Sequence, residues 1–373
     1  MTNKNSKMTL VNTGRRRLLG LAGTGTLAGV LGGLGISATS KAQETKTVRW
    51  GIVGTGGIAN SMARSIKSAD AAVIAAVSSR RMETAKAFAD KHSVETAFDS
   101  WQEMCEWDGV DAIYVATPTS VREEICLAAA NNRKHVLGEK PFASLPSVQR
   151  ITKACRDNGV AFMDGTHFVH HPRTHSIQEA MGDRIGWPWS VASAFQFGLG
   201  DRGNIRFNTE LEPMGAIGDA GWYNMRAAVE YLAPGVELAK TAATARIDEE
   251  TGAVISGSGN MLFSDGSTST WNCGFDSGAV VMDLRITGAA GVINISDFLS
   301  QNRDGSADYV HRHGGWGGGS SDTINVASSK PGSVLMFEDF AAAVADTSLR
   351  DQWMRATVAT QVLLDAAWES ATG

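Results

Sequence analysis

The chain is 373 residues long, a length that suits two domains better than one. With 43% apolar residues it can bury a sizeable core. The formal net charge is −5 and aromatic residues are not interleaved with basic ones, which argues against a nucleic-acid partner.

Residues 1–42 read as an export signal rather than as part of the fold. Arg15, Arg16 and Arg17 precede a run without charge from Leu18 to Ser40, and Ser40-Lys41-Ala42 offers small residues flanking a cut. Adjacent arginines mark the twin-arginine type. A periplasmic or otherwise exported location is therefore expected, with only transient membrane contact. A retained anchor is the alternative, because the uncharged run is long enough to span a bilayer. Seven glycines make that run a weakly apolar helix. The four cysteines (Cys105, Cys126, Cys155 and Cys273) include no C-x-x-C pair, so no zinc ribbon is expected. Export permits disulfides, but three of the four fall in predicted helices, and buried free thiols are expected.

The apolar run 48–53 predicts a buried strand, and Gly54-Thr55-Gly56-Gly57-Ile58-Ala59 follows it. Apolar residues at Ile58, Ala59, Met62 and Ile66 predict a helix opening at that turn. Strand, glycine turn and helix in this order form a dinucleotide-binding fingerprint. Gly54 permits the tight turn, Gly56 lets the backbone approach a pyrophosphate, and Ala59 allows close helix–strand packing. The pyrophosphate would then meet unpaired N–H groups at the helix start.

A second strand is predicted over 72–77, ending in Ser78-Ser79-Arg80-Arg81. An acidic residue at this place bonds a free ribose hydroxyl; a hydroxyl and a guanidinium suit a 2′-phosphate. Ser79 and Arg80 therefore favour NADP over NAD. Helices are predicted over 85–91, 101–105 and 121–131. Strands are predicted over 112–115, ending at Thr117-Pro118, and over 135–137, running into Gly138-Glu139-Lys140-Pro141. Ligands gather at the carboxyl ends of parallel strands, so Thr117, Pro118, Glu139 and Lys140 join the expected cofactor site.

Glycine fingerprint, T-P turn and a strand ending in E-K-P together resemble the Gfo/Idh/MocA oxidoreductases, over essentially the whole exported part. The resemblance implies that Lys140 is the active-site lysine. Arg122 departs from it, since many members carry a histidine after T-P. A strand over 160–163 closes the first domain, and the run 164–173 carries His167, His170 and His171. Three histidines at this spacing could face one metal, but no matching carboxylate or cysteine set follows, and no metal is expected. The family places a substrate-lining segment here, which implies sugar-hydroxyl contacts from these histidines.

The segment 215–223 is the second chemical centre. A helix from Gly218 onward would put Asp219 and Tyr223, four apart, on one face. The family pattern D-x-G-x-(H/Y) implies that Tyr223 is the acid/base. A phenol has a pKa of about 10, and a nearby Lys140 would lower it. Beyond this point alternating patterns predict strands over 254–263, 267–275 and 280–287, with a hairpin turn at Asp265-Gly266. Residues 314–321 form a glycine-rich loop to which no chemistry is assigned. Helices are predicted over 337–344 and 352–370.

The expected fold is α/β: a Rossmann-type doubly wound parallel sheet over 47–165, then an α+β domain over 166–373. That second domain has an open, mostly antiparallel sheet, through which homo-oligomers are expected, and C-terminal helices. The expected activity is hydride transfer between a carbohydrate, at C1 of an aldopyranose, and NADP, with Lys140, Asp219 and Tyr223 catalytic. One rival is a glucose–fructose-type cycle on a tightly held cofactor. Another is a non-catalytic sugar- or nucleotide-binding protein on the same fold.

Overall fold

The computed structural model describes residues 47–232 and 237–373. The expected export signal over 1–42 lies outside these residues. The first sheet holds six parallel strands, β1 (Val48–Val53), β2 (Ala72–Ser78), β3 (Thr96–Phe98), β4 (Ala112–Val115), β5 (His135–Gly138) and β6 (Phe162–Asp164). Their order is β3-β2-β1-β4-β5-β6, the doubly wound arrangement. Strands covered on both faces need continuous apolar runs, and every residue of β4 is buried. The crossovers are α1 (Gly57–Ser68), α2 (Met82–His92), α3 (Trp101–Glu106), α4 (Thr119–Asn131) and α5 (Leu145–Asp157). Helix α4 begins two residues before the predicted limit, because Glu212 accepts both the Thr119 amide, at 3.0 Å, and its hydroxyl, at 2.6 Å.

A 3-10 turn (His167–His170) and α6 (Pro172–Ala180) lead to β7 (Pro188–Gly198), α7 (Gly215–Asp219) and α8 (Gly221–Tyr231). The strands β8 (Leu238–Ile247), β9 (Val254–Phe263), β10 (Thr268–Gly274), β11 (Asp276–Val281), β12 (Leu284–Gly288), β13 (Val292–Ile295), β14 (Ala307–His313) and β15 (Ser320–Val326) complete a nine-stranded sheet. Its β7–β10 pair is parallel, and its other ladders are antiparallel. The single strand expected over 280–287 is two, divided at Met282-Asp283. At the β9–β10 turn Gly266 has φ +83°, and the Asp265 carboxylate accepts the Ser267 amide at 2.9 Å.

The chain closes with α9 (Gly332–Ala345) and α10 (Thr347–Thr372). These helices do not belong to the second sheet alone. Phe337 and Phe340 of α9 pack on Trp50 of β1, with ring centroids 5.1 and 4.8 Å apart, so α9 helps to cover the first sheet. The expected boundary at 165/166 separates the two sheets but not the packing units. The described residues, from Thr47 to the C-terminus, form one compact body. A buried node ties it together. Asp164 at the end of β6 accepts hydrogen bonds from Arg226 of α8 at 2.7 Å and from Thr357 of α10 at 2.6 Å. All four cysteines are buried free thiols, and burial pushes Cys105, Cys155 and Cys273 up to about 12.

Candidate active site

The site begins where β1, β4 and β5 end side by side, with Val53 opposite Val115 and Val115 opposite Gly138. Gly54 has φ +107°, and a Cβ there would lie 2.6 Å from the Ala116 carbonyl oxygen, so only glycine fits. Gly56 and Gly57 are different: a Cβ on either meets nothing within 4 Å. They leave open space at the start of α1, which has no side-chain cap and no acidic residue in its first turn. The arrangement suits an anion. Ala59 is fully buried, as expected, but Ile58 is exposed and adds nothing to the helix's buried face.

Asn60 holds this turn in place. Its amide donates to the carbonyls of Thr55 at 3.0 Å and Gly56 at 2.9 Å, and its oxygen meets His92 at 2.9 Å. Ser79 stands 3.4 Å from the Thr55 hydroxyl and 2.7 Å from that of Thr84, linking the glycine turn to the end of β2. Arg80 is exposed beside it, without an ion-pair partner among the described residues.

Two of the expected cofactor residues are placed otherwise. Glu139 is buried and accepts a 2.5 Å bond from the Tyr114 hydroxyl; burial raises its carboxyl. Its carboxylate is turned toward Tyr114 and the backbone of Gly165. Thr117 serves through its carbonyl, which accepts from Arg122. Arg122 is buried and also donates to the Pro141 carbonyl and, at 3.0 Å, to the Thr119 hydroxyl. It fastens the T-P turn to the loop that carries Lys140, a structural task that a histidine could not perform in this form.

Lys140 Nζ donates to Asp219 Oδ1 at 2.7 Å and to the Asp219 carbonyl at 2.8 Å. It also lies 4.7 Å from the centre of the Tyr223 ring. Residues from β5 and from α7–α8 thus meet at one point. Helix α7 starts at Gly215, three residues before the expected helix, and α8 begins after Ala220. Asp219 and Tyr223 therefore sit on either side of a helix junction. Arg206, in the connection between β7 and α7, grips Asp219 from the other side, with Nε 2.7 Å from Oδ2. Burial would raise the Asp219 carboxyl, but Lys140 and Arg206 overcome this and hold it well below its ordinary value. With both oxygens engaged, Asp219 positions Lys140.

The expectation for Tyr223 was a lowered pKa. Burial raises the phenol instead; the Lys140 charge pulls it down without offsetting the desolvation. Burial alone would lower the Lys140 ammonium, and Asp219 outweighs that, so the net shift is upward and lysine stays charged. Phe195 packs edge-on against Tyr223 at 5.4 Å, with Phe197 5.4 Å beyond on the same face of β7.

The three histidines part company. His171 has both ring nitrogens engaged: Nδ1 accepts the Arg173 amide at 3.0 Å and Nε2 donates to the Gly305 carbonyl at 2.8 Å. It caps α6 and is not available to a sugar. His170 bonds Asp339 of α9 through Nδ1 at 2.7 Å, and its ring lies tilted against Trp353 of α10 with centroids 4.6 Å apart. The Nε2 atoms of His167 and His170 are both buried without a partner among the described residues, so each keeps a nitrogen for the expected ligand contact. Burial, with His170 and Lys140 nearby, leaves His167 with a pKa lowered to about 4. It is a neutral imidazole at pH 7.

Residues 48–166 match the oxidoreductase family with an NAD-binding Rossmann fold. The chain is 30% identical over 230 residues to D-xylose 1-dehydrogenase (NADP(+)) 2 of Haloferax volcanii, covering 61% of this chain and 70% of that one. In fold it is similar to a 3-ketoreductase from Actinomadura kijaniata, solved with NADP and TDP-benzene, at 23% identity and a TM-score of 0.79. That likeness covers 87% of this chain and 98% of the other. An aldose-aldose oxidoreductase from Caulobacter crescentus superimposes with a TM-score of 0.76 at 18% identity, over 87% of this chain and 98% of its own.

Proposed function

Since this chain belongs to the Gfo/Idh/MocA oxidoreductase family, we propose that it transfers hydride between a carbohydrate carbinol, at C1 of an aldopyranose, and NADP. The observation that carries this is the Lys140–Asp219 pair beneath Tyr223, beside a helix start left open by Gly56 and Gly57. Residues 54–58, Ser79 and Arg80 would hold the dinucleotide, the N–H groups of α1 taking the pyrophosphate. A bound nicotinamide accepts or supplies the hydride.

The chain's own part is the proton and the placement. Tyr223 holds a proton at its phenol oxygen and exchanges it with the substrate oxygen. Lys140 is fixed by Asp219, itself gripped by Arg206, and the cluster of two cations and one carboxylate keeps a net positive charge over the Tyr223 ring. Such a charge stabilises a developing alkoxide or phenolate. His167, neutral and unpartnered, accepts or donates one sugar hydroxyl bond. Phe195 and Phe197 supply an apolar wall.

A second reading rests on the raised Tyr223 phenol. At neutral pH the proton is already on the oxygen, which suits donation to a carbonyl; oxidation must first remove it. The same cleft would then serve as a ketoreductase, or would run both halves of a cycle on a retained cofactor. The discriminating experiment is the absorbance and mass of nucleotide released on denaturation, followed by turnover of aldopyranoses with NADP+. Stoichiometric release supports the cycle. Free exchange with aldose oxidation supports the dehydrogenase, and no turnover in either direction leaves a binding protein.

Arg80→Ala is expected to weaken NADP about tenfold to a hundredfold, the worth of a charge-assisted hydrogen bond, and to leave NAD within a factor of two or so. Equal losses by fluorescence titration would remove the 2′-phosphate argument. We also propose export through Arg15–Arg17: lysines at those three places are expected to keep the precursor in the cytoplasm, and a normal amount of exported protein would count against that route. Homo-oligomers are proposed through the outward face of the second sheet, where Thr270 and Asn272 of β10 alternate with inward Ser269, Trp271 and Cys273.

A further inference from the structure

We propose that the outer hairpin of the second sheet binds one divalent first-row transition-metal ion between His311, His313 and Asp322. Strand β14 pairs with β15 so that His311 stands directly opposite Asp322. His313 follows two residues later and therefore shares the face of His311. One ligand atom from each residue lies within 4.8 Å of the other two. The imidazoles stack with centroids 5.0 Å apart.

His311 carries most of the argument. It is 6% exposed, and its Nε2 lies 3.0 Å from the Arg184 carbonyl. A carbonyl only accepts, so Nε2 bears the proton, and Nδ1 is the nitrogen left to offer a lone pair to a metal ion. That Nδ1 is buried and has no hydrogen-bond partner among the described residues. It faces Asp322 Oδ2 at 3.9 Å, and His313 Nε2 is 3.6 Å from the same oxygen. A lone pair and a carboxylate turned toward each other call for a cation between them. An imidazole whose other nitrogen donates to a backbone carbonyl is the usual state of a metal-ligating histidine. Gly291 permits this: a Cβ there would lie 2.9 Å from His311 Nε2 and 3.2 Å from the Arg184 oxygen.

Tetrahedral ligands about 2.0–2.2 Å from zinc stand about 3.3–3.6 Å apart. The two separations to Asp322 Oδ2, 3.9 and 3.6 Å, lie within a few tenths of an ångström of that range, and the two imidazole nitrogens, within 4.8 Å of each other, close the rest of the way by rotation of His313. Asp322 and His313 are exposed enough to make that adjustment, and Ser320 brings a hydroxyl within 2.8 Å of His313 Nε2. Two imidazoles and one carboxylate select zinc, nickel, cobalt or copper over calcium and magnesium, which prefer oxygen. The ion would join β15, the edge strand, to β14 and, through His311, to the turn before β7. It is a staple rather than a part of the hydride-transfer cleft.

The test uses the full-length, tag-free protein after treatment with a chelator. Titration with Zn2+ by calorimetry is expected to show one ion per chain, unaffected by excess Mg2+. Co2+ is expected to give visible absorption bands of a bound nitrogen–oxygen site. His313→Ala and Asp322→Ala each lower the Zn2+ affinity at least about tenfold, the loss of one ligand's worth of binding. Zn2+ raises the melting temperature of the parent chain and not of these variants. Equal Zn2+ binding by parent and variants, or no saturable binding by the parent, overturns the proposal.

Discussion

Replacing Tyr223 by phenylalanine is expected to lower kcat by about 10²–10⁴-fold, the range of general acid–base assistance. The fold and nucleotide binding should persist, because the ring still packs on Phe195 and under Lys140. Only the oxygen that holds the proton is lost. The pH profile carries the sign. Burial has raised the phenol, so oxidation of a carbinol should accelerate as pH rises toward its ionisation, and reduction of a carbonyl should slow. Lys140→Ala removes the charge that opposes this rise, so the profile of the remaining activity moves to higher pH. Single-turnover reduction of bound nicotinamide, followed across pH, makes the measurement. A Tyr223→Phe variant with parental rates would transfer the proton role to His167, the neutral imidazole nearby.

The largest loss of stability is expected from Asp164→Ala. Asp164 and Arg226 are each 1% exposed and bonded at 2.7 Å, and Arg226 also bonds Glu230 at 2.7 Å. Removing Asp164 leaves Arg226 with Glu230 alone and strips the buried Arg226 Nη1 and the Thr357 hydroxyl of their acceptor, a loss of up to about 3–5 kcal/mol. The midpoint of urea unfolding reads this out; a change below about 1 kcal/mol would mean that water reaches Arg226 freely. Burial would raise the Asp164 carboxyl, but Arg226, Thr166 and Thr357 together hold it below its ordinary value of 3.8. The unfolded chain therefore binds the proton first as pH falls. The contribution of Asp164 is complete above 3.8 and disappears as pH drops through the lower folded value. The variant should lack this part of the acid transition.

Short-range features of the chain mark five of the six strands of the first sheet; the three-residue β3 carries no such run. The glycine turn after β1 depends on a few consecutive residues, and the apolar strand runs reflect burial on both faces. The motif around Lys140 and the pair Asp219 and Tyr223 were likewise legible, because each is a local pattern. Less was legible where the pattern is weak. Strands β7, β8, β13, β14 and β15 escaped notice; β8 and β15 are rich in alanine, serine and threonine and mostly exposed, so no apolar alternation marks them. The 332–345 segment reads as a helix, yet nothing in its period says that it covers the first sheet.

What the sequence by itself determined is the local motifs that carry the candidate groups Lys140, Asp219 and Tyr223 and the order of the elements around them, since both are patterns a few residues long. The tertiary structure alone decided their electrical state and their partners. Arg206 meets Asp219 across 13 residues, Asn60 meets His92 across 32, and Arg226 meets Asp164 across 62. Ion pairs and hydrogen bonds at such distances have no period along the chain. The same is true of burial, which raised Tyr223 where a neighbouring lysine alone would have lowered it, and which left a ring nitrogen of His167 and of His170 without a partner. Desolvation depends on everything packed around a group, and the packing exists only once the chain has folded.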